Sequence, residues 1–125
     1  DILHKVNCKS ENVIYLMECI LCKNHQYVGK SEWSMNRRIN SHRNDVWRTE
    51  GPPCDKHFQK EGHNFNEHAK FTIIEKIEKY MTDKIYLRKL LEHKEDLWMM
   101  RLKTVMPDGL NISLNYPQNA TGSLR

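Results

Sequence analysis

Asn12-Val13-Ile14-Tyr15-Leu16-Met17-Glu18 and, after a seven-residue gap, Gln26-Tyr27-Val28-Gly29-Lys30 are the two runs from which the architecture follows. The first is almost continuously apolar, the pattern of a strand covered on both faces. Cys19 to His25 supplies a turn, and Gln26 to Lys30 returns as a second strand. Tyr15 and Tyr27 therefore fall on neighbouring strands, where most tyrosines serve as core aromatics with wet hydroxyls. Gly29 is less ordinary, because glycine weakens a strand interior and marks a close backbone or ligand approach.

Outward from the hairpin the period changes. From Ser34, the residues Met35, Ile39, His42 and Val46 recur at i, i+4, i+7 and i+11, which predicts an amphipathic helix to about Arg48. Gly51-Pro52-Pro53 stops it. A histidine-bearing segment, Asp55 to Glu61, closes at Gly62. Phe71 to Ile77 predicts a third strand. Thr82 is positioned to cap a long helix to about Lys103, with Leu87, Leu91, Trp98 and Leu102 on its apolar side. Pro107-Asp108-Gly109 ends that region. The ordered core is expected over about 8–114, with 115–125 as a loose tail. Strands and helices in this order predict an α+β domain.

At 125 residues the chain suits one domain, 1–125, with 38% hydrophobic and 29% charged residues, a globular composition. No apolar run approaches the roughly 18 residues a membrane crossing requires. The chain opens on Asp1 rather than Met, so it reads as an excised piece, and a lost targeting segment stays open. A net charge of +4 gives a mild bias toward polyanions. Asn111-Ile-Ser and Asn119-Ala-Thr match a glycosylation pattern that is common by chance.

Three constellations carry chemistry. With a side-chain period of two, Phe71, Ile73, Glu75 and Ile77 share a face, so Glu75 is expected to be a carboxylate drawn into the core. A buried unpaired carboxylate is costly, and Mg²⁺ or Mn²⁺ would resolve the conflict. The plain alternative is a pairing with Lys or Arg at the sheet edge. Arg38 and His42 lie four apart on one helical face, offering a phosphate-matched fork beside a proton carrier. Arg37 is adjacent but lacks the i+4 histidine. Finally, Cys19-x-x-Cys22 on a hairpin turn is half of a tetrahedral zinc site, with His57 and His63 as the other half. Cys8, Cys54 and His68 are substitutes, and free thiols with solvated histidines the alternative. The spacing favours a reducing compartment over disulfides.

Val13-Ile-Tyr15, Tyr27-Val-Gly29, Arg38-x-x-x-His42, Glu75 and Asn111 together resemble, in order and spacing, the GIY-YIG nuclease superfamily. More narrowly, the chain is similar to the endonuclease domain of Penelope-like retroelements. That likeness rests on Glu11-Asn-Val-Ile-Tyr-Leu-Met-Glu-Cys19, the Cys19/Cys22 insertion, Arg38-Ile-Asn-Ser-His-Arg43, His57-Phe58 with Gly62-His63, and Pro107-Asp-Gly-Leu-Asn111. It covers about Cys8 to Leu114. Val13 stands where the superfamily name has Gly.

The resemblance implies a small three-stranded antiparallel sheet flanked by helices, with an inserted Cys-Cys-His-His zinc site. Tyr15 would act near the attacking water and Tyr27 would orient water or phosphate. Arg38 would steady phosphate charge, His42 would handle protons, Glu75 would hold one catalytic Mg²⁺ or Mn²⁺, and Asn111 would brace the site. It implies DNA as partner, a reverse-transcriptase domain in the same polypeptide, and nicking of target DNA for integration by target-primed reverse transcription. The setting would be nuclear and the protein not membrane-bound.

DNA contact is expected from Lys30, Arg37, Arg43 and Arg48, with Lys84, Arg88, Lys89 and Lys94 adding charge; such contacts go to phosphates and weaken with salt. Two rival readings remain: a repair or structure-specific nuclease of the same superfamily, and a zinc-stabilised DNA-binding module that does not cut.

Overall fold

The computed structural model describes residues 7–77 and 83–117. Its strands are β1 (Val13–Cys19), β2 (Gln26–Ser31) and β3 (Ala69–Lys76). Its helices are α1 (Met35–Asp45), the single turns α2 (Pro53–Lys56) and α3 (Phe65–His68), and α4 (Lys84–Leu102). This is a small α+β fold. The sheet order is β2-β1-β3, antiparallel throughout. The most apolar run takes the central place, which buries it on both faces. Val13, Tyr15, Met17 and Cys19 pack with Met35, Val46, Phe58 and Phe65 on one side. Ile14 and Val28 pack with Leu87, Leu91 and Met99 of α4 on the other.

Gly29 lies opposite Tyr15 in the β1–β2 register. A Cβ there would come within 2.4 Å of Tyr15 Cζ and Oη, and 2.8 Å of Tyr27 Cε2. The absent side chain is thus the space into which both phenol rings pack.

The β1–β3 ladder corrects the expected parity. Tyr15 pairs with Ile73, but Ile14 pairs with Glu75, so one residue of β3 is extra at this point. Such a bulge reverses which face later side chains occupy. Phe71 and Ile73 stay with the Tyr15 cluster, whereas Ile74 and Ile77 join the α4 side. Glu75 goes with the latter, so these four residues do not share one face.

Two further expectations change. Thr82 lies outside the described residues; Asp83 caps α4, its carboxylate accepting from the Ile85 and Tyr86 N–H groups at 3.0 and 3.1 Å. The start of the tail is anchored rather than loose: Asn115 and Tyr116 N–H donate to Asp96 at 2.8 and 2.9 Å, and the Tyr116 ring stacks on His93. The acids of α4 hold it there. Asn119 lies outside the described residues.

The segment after α4 folds back along the open edge of β2. Leu110 N–H donates to Gln26 O at 2.8 Å. The Asn111 side chain completes the job, accepting from Val28 N–H and donating to Val28 O, both at 2.9 Å. Its Oδ1 also accepts from Thr104 Oγ1 at 2.7 Å. A buried amide therefore substitutes for a neighbouring strand and satisfies edge groups that would otherwise be orphaned.

Candidate functional site

Tyr15 points from β1 into the α1 side of the core and is fully buried. Its hydroxyl lies 2.6 Å from His42 Nε2. His42 reaches this point because it sits on the buried stripe of α1 with Met35 and the following Val46, 1% exposed. Tyr27 stands beside the pair, its ring centroid 6.3 Å from Tyr15 and 5.8 Å from His42. Arg38, one turn before His42, carries its guanidinium 5.9 Å from the centroid of the Tyr15 ring. Arg37 points elsewhere, over the exposed Trp33 ring at 5.2 Å. Of the adjacent arginines, Arg38 belongs to this cluster.

Electrostatics follow from burial. Loss of water pushes the phenols of Tyr15 and Tyr27 well above the usual tyrosine range, while Arg38 pulls them down. Burial works against the charge of Arg38, but the two phenols hold it raised. The arginine thus remains a fixed cation in a half-buried setting, where charge interactions are stronger than at the open surface.

Glu75 is not part of this cluster. On the opposite sheet face it accepts from Trp98 Nε1 at 2.8 Å and pairs with Lys94 Nζ at 2.8 Å. Burial works against its charge, yet Lys94 and Trp98 outweigh that and hold the carboxyl below its usual range. The bulge in β3 is the physical reason. The plain alternative, a salt bridge with a helix lysine, is what this carboxylate makes.

An acid that does approach Tyr27 is Glu95 of α4, 6% exposed. It reaches past the edge strand β2 into a cavity of about 200 Å³, which it walls together with Tyr27, Cys54 and Asn111. Burial pushes its carboxyl up, against a 2.6 Å hydrogen bond from Asn115 Nδ2 and the charges of Lys30 and Arg38. A signal for it existed in the sequence: Leu87, Leu91, Glu95 and Met99 form one i, i+4 row, so a carboxylate interrupts an apolar stripe.

Asp55 was likewise missed, and no sequence pattern singles it out. His42 Nδ1 lies 2.6 Å from Asp55 Oδ1, with both side chains 1% exposed. Asp55 Oδ2 is buried without a hydrogen-bond partner. Cys54 Sγ donates to Oδ1 across 3.7 Å.

At the other end of the hairpin, Cys19, Cys22, His57 and His63 bring one ligand atom each within 4.8 Å of one another. They are able to hold a metal ion. Cys22 Sγ and His63 Nε2 are 3.3 Å apart, and His57 Nε2 is a buried nitrogen with no partner. Burial first, then neighbouring His25, hold the His57 imidazole down to about 4, so it stands as a neutral donor. The alternatives fall away: Cys8 is exposed, Cys54 belongs beside Asp55, and His68 Nδ1 already accepts from Asn64 N–H at 2.9 Å.

The expected DNA contacts divide. Arg37, Arg43 and Arg48 are exposed on or just after α1. Arg43 donates to Asn66, and Arg48 pairs with Asp45 at 3.1 Å. Lys30 and Arg38 line a groove with Trp33 and Arg88, the last paired with Glu32 at 3.1 Å. Lys84 and Lys89 are exposed at α4, while Lys94 is held by Glu75.

No protein-family model, curated protein or solved structure matches this chain.

Proposed function

We propose that the domain is a metal-dependent DNA endonuclease, hydrolysing phosphodiester bonds on the plan of the GIY-YIG nucleases it resembles. The biological role suggested by the likeness to Penelope-like retroelements is nicking of target DNA for primed reverse transcription. One observation carries the chemical reading. Tyr15, His42 and Arg38 cluster beside Tyr27, and Tyr27 shares a cavity wall with the buried carboxylate of Glu95. The cavity there has room for several waters, each needing about 30 Å³ of liquid volume.

Phosphodiester hydrolysis needs an oriented water, a proton acceptor and positive charge where the phosphate becomes more negative. Tyr15, hydrogen-bonded to His42, suits the acceptor. Tyr27 on the cavity wall suits orientation of water or phosphate. Arg38 supplies a permanent cation that no ordinary pH removes. The residue suited to the catalytic metal is Glu95 rather than Glu75, because Glu95 is a hard oxygen donor on the cavity wall and Glu75 is spent on Lys94. One carboxylate with water and phosphate oxygens is a donor set that fits Mg²⁺ or Mn²⁺. Such an ion, when bound, supplies Lewis-acid stabilisation and a more acidic water. Asn111 keeps the β2 edge, and hence Tyr27, in place.

The Cys19, Cys22, His57 and His63 group is assigned a structural Zn²⁺, tying the hairpin turn to the segment after α1. The basic surface of α1 is assigned to DNA phosphates.

The test is nicking of supercoiled plasmid with Mg²⁺ or Mn²⁺. Wild type is expected to cut, Glu75→Gln to cut comparably, and Glu95→Gln and Arg38→Ala to lose on the order of 10²-fold or more. Equal cutting by all four proteins rejects the site. A wild type that binds DNA but leaves it intact rejects the enzyme in favour of a binding module.

A further inference from the structure

Behind Tyr15 and His42 lies a third group that the nuclease reading does not use. Tyr15 Oη, His42 Nε2, His42 Nδ1 and Asp55 Oδ1 form a chain with links of 2.6 Å at each end of the imidazole. All three side chains are at most 1% exposed. We infer that Asp55 is a positioning residue that fixes His42 with its Nδ1–H toward the carboxylate, leaving bare Nε2 to take the Tyr15 proton as Tyr15 takes one from the attacking water. This rests on the endonuclease reading and deepens it.

The direction of the chain follows from donor and acceptor chemistry. An ionised carboxylate only accepts, so the nitrogen facing it must donate. The other nitrogen of a neutral imidazole is then an acceptor, and Tyr15 Oη is its only donor at hydrogen-bond distance among the described residues. The order of acid, imidazole and hydroxyl is that of the Ser-His-Asp template, with a phenol in the hydroxyl's place. Need points the same way. Burial holds the Tyr15 phenol far above its ordinary range, so it does not ionise unaided. An adjacent acceptor, itself stabilised as it becomes positive, is what such a base requires. Asp55 is suited to that: its second oxygen is buried with no partner, a cost that packing alone does not repay.

The atoms balance. An O–H bond of water breaks and its proton goes to Tyr15, while the phenol proton goes to Nε2. The water oxygen bonds to phosphorus as the bond to the leaving oxygen breaks. That oxygen takes a proton from solvent, and the imidazolium later returns its own.

The titratable and charged groups facing the chain are Tyr27 from β2, Arg38 from α1, Cys54 from α2 and, beyond Tyr27, Glu95 from α4. A pH effect must therefore be read against variants rather than from wild type alone.

Two measurements on the full chain test the inference. Nitrogen NMR of the histidine rings, with His42 identified by the signal that disappears in His42→Gln, is expected to show Nδ1 protonated and Nε2 bare. Single-turnover nicking by Asp55→Asn is expected to fall by on the order of 10²-fold or more across the pH range, since an amide presents its NH₂ to Nδ1 and favours the wrong tautomer. DNA affinity and bound zinc should stay at wild-type level, and Asp55→Glu should recover part of the rate. Asp55→Asn cutting within about threefold of wild type overturns the inference, as does a wild-type His42 that carries its proton on Nε2. If Asp55→Asn does not fold, the wild-type tautomer decides. A wild type with the expected tautomer that never cuts DNA overturns the endonuclease reading, and with it the catalytic role of the chain.

Discussion

Replacing Gly29 by Ala sets two well-known effects against each other. By strand propensity, alanine should stabilise by roughly 0.5–1 kcal/mol, because glycine loses more freedom on folding. Sterically, the new methyl would stand 2.4 Å from Tyr15 Cζ and Oη, against ordinary contacts of 3.4 Å or more, so the ring must retreat by about 1 Å. It has nowhere to go. Tyr15 is fully buried, packs on Phe71 at 6.0 Å between centroids, and is tied to His42 at 2.6 Å. Overpacking of this kind costs about 1–3 kcal/mol, which exceeds the propensity gain. The net loss is then up to about 2.5 kcal/mol, for a domain of this size a drop in Tm of as much as roughly 10 °C. A displacement of about 1 Å at Tyr15, the proposed proton acceptor, should also lower nicking by on the order of 10²-fold. Differential scanning calorimetry and plasmid nicking read the two effects separately. The same change on a Tyr15→Phe background should cost less, because one of the three colliding atoms is gone. A Gly29→Ala protein that melts at or above wild type and cuts normally would refute the close-packed arrangement.

Four other outcomes follow from the same geometry. Cys22→Ser should lose its bound metal and unfold at markedly lower temperature, since structural zinc contributes several kcal/mol of folding energy; metal analysis and thermal melts decide, and an unchanged zinc content would remove Cys22 from the ligand set. Glu95→Gln, measured without divalent ions, should stabilise the fold. Burial raises the folded carboxyl above its ordinary 4.5, so its favourable contribution is present below that pH and lost as pH rises; the gain in Tm should be small near pH 4 and grow upward. Asn111→Ala should cost about 2–4 kcal/mol in denaturant unfolding, as it removes the Thr104 partner and both backbone partners of Val28; a loss under about 0.5 kcal/mol would mean the edge closes without it. Arg37→Ala should weaken DNA binding and reduce the salt slope by about 0.9, the value for one phosphate no longer neutralised, so an unchanged slope takes Arg37 off the DNA surface.

What the chain's sequence determined is local and periodic. The apolar run around Tyr15, the turn at Cys19 to His25 and the stripe from Met35 to Val46 encode backbone dihedrals that repeat every two or about 3.6 residues, and the structure follows them closely. The Cys19/Cys22 and His57/His63 pairs were legible because a hairpin turn forces the cysteines together, and metal-suited residues are few. The carboxylates were not legible in the same way. Period-two counting put Glu75 with the phenols, but one extra residue in β3 reverses the faces, and no local preference announces that residue. Glu95 interrupts an apolar row on α4, yet only the packing of α4 past the edge of β2 brings it to Tyr27. Asp55 meets His42 solely because α2 folds back under α1. Dihedral preferences belong to single residues and add along the chain. The meeting of Asp55 with a buried imidazole, and of Glu95 with Tyr27, belongs to the close-packed whole, where one bulge or one helix offset changes the partner.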